Sequence, residues 1–442
     1  MHAETKVLLK DGILKCLPVL QSLVGRYVTP HQVWTKKGEG GWQSEVVLRP
    51  DLTRILIAVD TQLEEASQPF AVSFYGHHPE YRGMVGFPRF GRFNLGDDNT
   101  YILRSAISYL WKQYEKFEFD QAAVDSFVTE FEAFVDKPVV RFLFRSQLLN
   151  FNTPRDSIDL PERLRIRRMS QGEVTALHGG QIESLGMIRP RAFGLHEFCI
   201  EGEIEEPKAF GDLNENEQSA KDPVKSSLDK AILCLRTFKS GHIGYDYVHF
   251  YPRSFCPLPL PSYGYGDLYV PFGNYTLGVE ESNSLIEHAK LVFASTEPSI
   301  EMACSRLADA ETRTKSQDRL VDAVIGMESL LLAGLGKEDR KGELKFRFAL
   351  HYSTLFSTPQ ERHRAFRMAK HLYDLRSLVA HGSTLDEGVF PVGEEKLKLA
   401  EAAKRASQTL RHLVRHFLPH AKLAPYKKHE FWERAYFGLS SA

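Results

Sequence analysis

Tyr373-Asp374-Leu375-Arg376-Ser377-Leu378-Val379-Ala380-His381-Gly382 is the stretch on which the reading of this chain turns. It closes a long helical pattern that opens at Thr358-Pro359, a hydroxyl cap followed by a first-turn proline. Phe366, Ala369 and Tyr373 run along one side of that helix up to Arg376, and Gly382 supplies the stop. His381 then falls in the last turn, where the negative end of the helix dipole favours a protonated imidazole, a state suited to a general acid. Arg376 offers a planar fork of donors that matches phosphate oxygens. The two positions lie about 140° apart around an ideal helix. They converge only if Arg376 reaches along the axis to an unwinding end, or if two copies of the helix face each other. The spacing alone is weak, because it recurs at Arg26/His31, Arg191/His196, Arg411/His416 and Arg415/His420.

Outward from this stretch, strand signals vanish after about Pro298, and the remainder reads as helices over 298–313, 316–335, 343–355, 358–381 and 393–418. Short connections between amphipathic helices imply an antiparallel bundle. Glu328 sits among Leu320, Val321, Val324, Ile325, Leu331 and Leu332. A buried carboxylate needs a partner, and Arg347 and Arg376 are the candidates; otherwise Glu328 turns out to solvent.

Residues 1–296 have a different texture, rich in glycine, aromatics and β-branched residues. Glu45-Val46-Val47-Leu48, Ile55-Leu56-Ile57-Ala58-Val59 and Phe70-Ala71-Val72-Ser73-Phe74-Tyr75 read as strands. Two helices follow, one from near residue 97 with Ile102, Ala106, Leu110 and Tyr114 on one face, the other over 120–135. Val139-Val140-Arg141-Phe142-Leu143-Phe144 and Leu164-Arg165-Ile166-Arg167-Arg168-Met169 return to strand. Arg163, Arg165 and Arg167 on one face form either a solvated sheet surface or a phosphate-contacting stripe. Ser170-Gln171-Gly172-Glu173 has the form of a capping box. Residues 212–221 read as an exposed loop, and Asp222-Pro223 opens a helix to about Lys239. The fold class expected is α+β: a strand-rich mixed N-terminal region, itself breaking between 150 and 220, then an all-α C-terminal bundle over 297–442.

The 442 residues carry a formal net charge of -1, which argues against a bulk polyanion binder and leaves a local basic patch open. Cys16, Cys199, Cys234, Cys256 and Cys304 form no CxxC pair, so neither a disulfide framework nor a zinc site is encoded, and a reducing cytoplasm fits. No apolar run is long enough for a membrane span, and the N-terminus lacks the pattern of a signal peptide. His77-His78 with Glu80 lacks a second ligand pair, so no metal is expected. Gly91-Arg92-Phe93-Asn94-Leu95-Gly96 is not a phosphate loop, since no Lys-Ser/Thr follows it. Arg405, Arg411, His412, Arg415 and His416 read as the wet side of the last helix.

Three stretches in order carry a resemblance: Asp318 to Leu332, Glu343 to Leu350, and Leu372 to Gly382. Together residues 298–420 resemble a HEPN domain of the ApeA-like branch; residues 1–296 resemble no family known to us. The resemblance implies a helical bundle that dimerises through helices bearing an R-x4-6-H motif. It also implies a metal-independent endoribonuclease of prokaryotic defence, abortive infection or toxicity, needing no cofactor. By that likeness Arg376 and His381 are the catalytic pair, acting on RNA by attack of its own 2′-OH. Ser377 stands where active relatives often carry Asn, Asp or His; Asp374 orients a group or is simply solvated. Arg306, Lys345 and Arg347 are candidate RNA contacts, set against a reading as a solvated face. The implied partners are RNA, a second copy of the chain, and a phage-derived trigger or antitoxin, with no membrane. The N-terminal region would then sense a trigger, restrain the nuclease or select RNA. The alternative is a non-catalytic bundle that dimerises or holds RNA for a specific N-terminal domain.

Overall fold

Leu9, Ile13, Cys16, Leu17 and Leu20 recur at helical spacing, and all are buried along Ala3–Leu23 (α1). The computed structural model describes residues 1–38, 41–95, 98–114, 117, 120–178, 196–211, 222–258, 273–335, 343–383, 385 and 388–439. The architecture is mixed α and β, with strands concentrated in the N-terminal part and helices in the C-terminal part. Chain contacts divide it into two compact units, 1–147 with 164–226 and 246–266, and 148–163 with 227–245 and 267–442. The unit that holds the C-terminal bundle therefore also takes in segments from before residue 296.

In the first unit, Leu52–Ala58 (α2) and Asp60–His77 (α3) are helices where short apolar runs suggested strands. A run of five or six apolar residues fits either state, and the flanking sequence decides. Asp51 caps α2 by accepting from the Arg54 amide at 3.1 Å. Leu63, Ala66, Ser67, Phe70, Ala71 and Phe74 place the second run inside a longer helical stripe. α1 and α3 approach closely at Gly12, where a Cβ would stand 2.9 Å from the Ala66 carbonyl. Tyr101–Tyr114 (α4) and Gln121–Asp136 (α5) lie where the sequence places them, and the Asp120 carboxylate accepts from the amides of Ala122 and Ala123. The Tyr114 side chain and residues 212–221 lie outside the described residues.

Val28–Lys37 and Gly41–Pro50 pair as an antiparallel hairpin. Gln171–His178 (α6) attaches to it through the Thr175 hydroxyl, which accepts from the Trp34 amide and donates to the Trp34 carbonyl. The capping box at Ser170 and Glu173 is formed. Val139–Leu149 pairs antiparallel with Phe198–Pro207, and Arg165–Arg168 lines the far side of that strand. Within the basic stripe, Arg167 is clasped by Glu173 at 2.6 Å and Glu201 at 2.8 Å. Its guanidinium completes an internal network, so it is not a free phosphate contact.

In the second unit, Pro223–Phe238 (α7, from Ser227 onward) and Val279–Ala294 (α8) join Pro298–Thr312 (α9), Ser316–Leu331 (α10), Leu344–Ser353 (α11), Pro359–Ala380 (α12), Leu399–Phe417 (α13) and His429–Tyr436 (α14). α10 is the spine, packing against α9, α12 and α13. Leu320, Val324, Met327, Leu410 and Leu413 are fully buried there. At Gly326 a Cβ would fall 2.5 Å from Leu410 Cδ2, so this crossing depends on the glycine. Val389–Val392 and Glu395–Lys398 form a hairpin inside what the sequence presented as purely helical. Gly393, at φ 66°, makes its turn; it had read as a helix start, and α13 begins only at Leu399.

Two buried histidines give this unit a pH dependence. His288 meets the Thr237 hydroxyl at 2.8 Å, while His351 stacks on Trp432 at 4.2 Å with Nδ1 2.6 Å from the Leu331 carbonyl oxygen. Burial pushes both imidazoles down to about 4. The folded value lies below the unfolded one, so their contribution is complete above about pH 6.5 and is lost as pH falls toward 4. At pH 5 each should cost about 2 kcal/mol. Thermal melts at pH 7 and pH 5 should show the loss, and His351→Gln should reduce it. An unchanged melting temperature would contradict this account.

Candidate active site

α12 is fixed at both ends by its own sequence. At the start, the Thr358 hydroxyl accepts from the Glu361 amide at 3.2 Å, and the Glu361 carboxylate accepts from the Thr358 amide at 3.1 Å. Ala365, Ala369, Leu372 and Leu375 bury one face. At the end, the Gly382 amide donates to the Val379 carbonyl and the Ser383 amide to the Leu378 carbonyl, both at 3.0 Å. Together with Gly382 at φ 83°, this is a Schellman closure. His381 occupies the capping position, its amide bonded to the Ser377 carbonyl at 3.0 Å and its side chain exposed. Gln317 Nε2 donates to the Leu385 carbonyl at 2.9 Å, tying the chain beyond the cap to the first turn of α10.

The cap makes a prediction. Nothing lies within 4 Å of a Cβ built at Gly382, so a substitution there meets only the cost of its left-handed backbone. Gly382→Ala should destabilise by about 1 kcal/mol, and Gly382→Val by more, by left-handed strain. Because His381 sits on this turn, both should disturb function more than stability. Melting curves beside the activity assay described below would measure that ratio, and equal losses in both would contradict the placement.

Arg376 points from α12 to α10. Its Nη2 lies 3.3 Å from Glu328 Oε2, a single-oxygen contact that leaves the fork of the guanidinium incompletely used. The Nε is buried and has no hydrogen-bond partner among the described residues. Glu328 thus pairs with Arg376, one of the two arginines the sequence offered. Burial raises the carboxyl of Glu328 above its ordinary range, an effect that the Arg376 charge and a hydrogen bond from Tyr373 offset only in part. Tyr373 touches both groups: its ring centroid lies 6.0 Å from the Arg376 guanidinium carbon. Phe348 on α11 packs on the Tyr373 ring at 5.3 Å.

The remaining candidates separate. Lys345 and Asp374 form an ion pair with each other across α11 and α12, next to the Tyr373–Arg376 turn. Arg306 is held at 2.9 Å by Asp322, which Arg313 also approaches at 2.7 Å, so it belongs to the α9–α10 packing. Arg347 lies partly buried on α11. Ser377 contributes its carbonyl to the cap. Tyr373 went unassigned in the sequence, although an aromatic three positions before an arginine shares its helix face. His78 pairs with Glu80 at 3.4 Å and packs on the Phe74 ring, and no group of three or more metal-ligating side chains occurs among the described residues. Among the same residues, no helix is long and apolar enough to cross a membrane.

The arrangement sets a guanidinium on a weak carboxylate contact and an exposed imidazole about 7.5 Å further along the axis, by helix rise. Such groups can bind a phosphoryl oxygen and move a proton. No family model, curated protein or solved structure matches this chain.

Proposed function

We propose that the chain is a metal-independent endoribonuclease with a HEPN-like C-terminal bundle, an effector of anti-phage defence, abortive infection or toxicity in the bacterial cytoplasm. The observation that carries the reading is the C-terminal turn of α12. Arg376 is held on partly buried Glu328, while His381 is presented, exposed, on a Schellman cap. In the proposed reaction the 2′-OH of the substrate attacks the adjacent phosphorus. Arg376 stabilises charge on the phosphoryl oxygens, and His381 handles a proton. The phosphorus–5′-oxygen bond breaks, leaving a 2′,3′-cyclic phosphate and a 5′-hydroxyl. Glu328 and Tyr373 hold the guanidinium, and Asp374 and Lys345 neutralise each other beside it. A homodimer through the bundle would bring two such turns to one cleft. The N-terminal unit would restrain the nuclease, select RNA or respond to a phage-derived trigger or antitoxin.

The Glu328–Arg376 contact also suits a second reading, in which it is a structural ion pair and the bundle only holds RNA or a second copy. The two are separated by incubating purified full-length protein with RNA beside Arg376→Ala and His381→Ala. Loss of cleavage in both folded variants supports the nuclease; cleavage that persists in both removes the assignment.

A further inference from the structure

A second feature of the bundle unit stands apart from this turn. A cavity of about 450 Å³ opens between the first half of α12, α13, the end of α11 and the 389–398 hairpin. That volume lies in the range of small-molecule sites, roughly 300–1,000 Å³. Its lining on α12 ends at Met368, eight positions before Arg376 and so about 12 Å away along the axis. Its buried wall is formed by Tyr352, Ala365 and Val392, with Thr409 hydrogen-bonded to Tyr352. Its rim carries Glu361, whose carboxylate is taken up by the Thr358 cap, and two pairs that bridge the helices to the hairpin: Arg364 to Glu394 at 3.4 Å, and Arg405 to Glu395 at 3.1 Å.

The chemistry of the rim selects the ligand. Both pairs are solvent-exposed and contribute little to stability, so either partner is free to exchange. An anionic ligand would pair with the arginines and leave two glutamates facing like charge. A cationic ligand would do the reverse. A ligand bearing one charge of each sign replaces an existing pair without leaving a charge unmatched. Beside the rim, the rings of Phe356 and His412 are nearly parallel, 26° apart, with centroids separated by 6.4 Å. At that separation the two rings are in ordinary offset contact, and together with Tyr352 they give the cavity an aromatic lining that suits a planar ring.

We infer that this cavity binds a zwitterionic aromatic molecule of amino-acid size. Its ring lies against Tyr352, Phe356 and His412, its carboxylate on Arg405 and its ammonium on Glu395. No bond is made or broken in this step, and the site does not depend on the nuclease assignment.

Calorimetric titration of the full chain tests it, using L-tryptophan beside N-acetyl-L-tryptophan, tryptamine and adenosine monophosphate. L-Tryptophan is expected to bind saturably, and each of the others at least tenfold more weakly. Arg405→Gln should weaken L-tryptophan at least tenfold while sparing tryptamine, and Glu395→Gln should spare N-acetyl-L-tryptophan instead. Both positions are surface residues, and a melting curve checks each variant. The inference is overturned if neither L-tryptophan, L-phenylalanine nor L-tyrosine binds. It is equally overturned if the single-charge analogues bind as tightly, if the nucleotide binds best, or if affinity survives both substitutions.

Discussion

Arg376→Ala should slow RNA cleavage by about 10²–10³-fold, the usual cost of removing one donor from a developing oxyanion. His381→Ala should cost about 10²–10⁴-fold, as expected for a positioned proton-transfer group. The double variant should fall little further, because groups that act on one transition state are not additive. Neither loss should come from unfolding. His381 is exposed on its turn, and its backbone bonds do not need the imidazole. Removing Arg376 leaves Glu328 partly buried, but its carboxyl is already raised by burial and loses a neighbouring charge that lowers it, so it takes up a proton more readily. Melting temperatures within a few degrees of wild type, beside the rate losses, are the expected pairing. A variant that loses activity only because it melts would not support a catalytic role.

The second large effect is on stability. Glu311 on α9 is almost wholly buried and accepts from Arg411 at 2.6 Å, Arg319 at 3.3 Å and the Ser240 hydroxyl at 3.0 Å. Arg411 also reaches the Arg236 carbonyl at the last turn of α7. The same carboxylate therefore joins α9, α10 and α13 to the segment after α7. Glu311→Ala would leave Arg411, 9% exposed, without its carboxylate partner, and should destabilise by about 3–5 kcal/mol. For a unit of this size that is a fall of roughly 10 °C in melting temperature. Differential scanning fluorimetry would read it directly. Replacing Glu311 and Arg411 together by Leu and Met should recover most of the loss, since the penalty is an unpaired buried charge and not lost packing. A single variant that melts within about 2 °C of wild type, by the same scaling, would show that the network carries no such weight.

What the sequence made legible follows from how local each signal is. The ends of α12 could be read because Thr358, Pro359, Glu361 and Gly382 act within one turn of themselves. The helical cores of α4, α5 and α9–α13 could be read because buried residues repeat at a fixed interval. Three things could not be read so directly. α2 and α3 looked like strands because short apolar runs carry no period of their own. The 389–398 hairpin was missed because its turn glycine resembles a helix boundary. Glu328 faced two candidate arginines; the choice of Arg376 depends on how α10 meets α12, 48 residues apart. Tyr373 shows the same limit: its place on the helix is visible, but its contact with Glu328 is not.

The most direct measurement is the chemistry of the product ends. Full-length protein is incubated with RNA in EDTA, beside Arg376→Ala and His381→Ala, and the new termini are identified. The account predicts that wild type alone cleaves, leaving 2′,3′-cyclic phosphates and 5′-hydroxyls. Cleavage that stops in EDTA, leaves 5′-phosphates, or continues unchanged in both variants would contradict it.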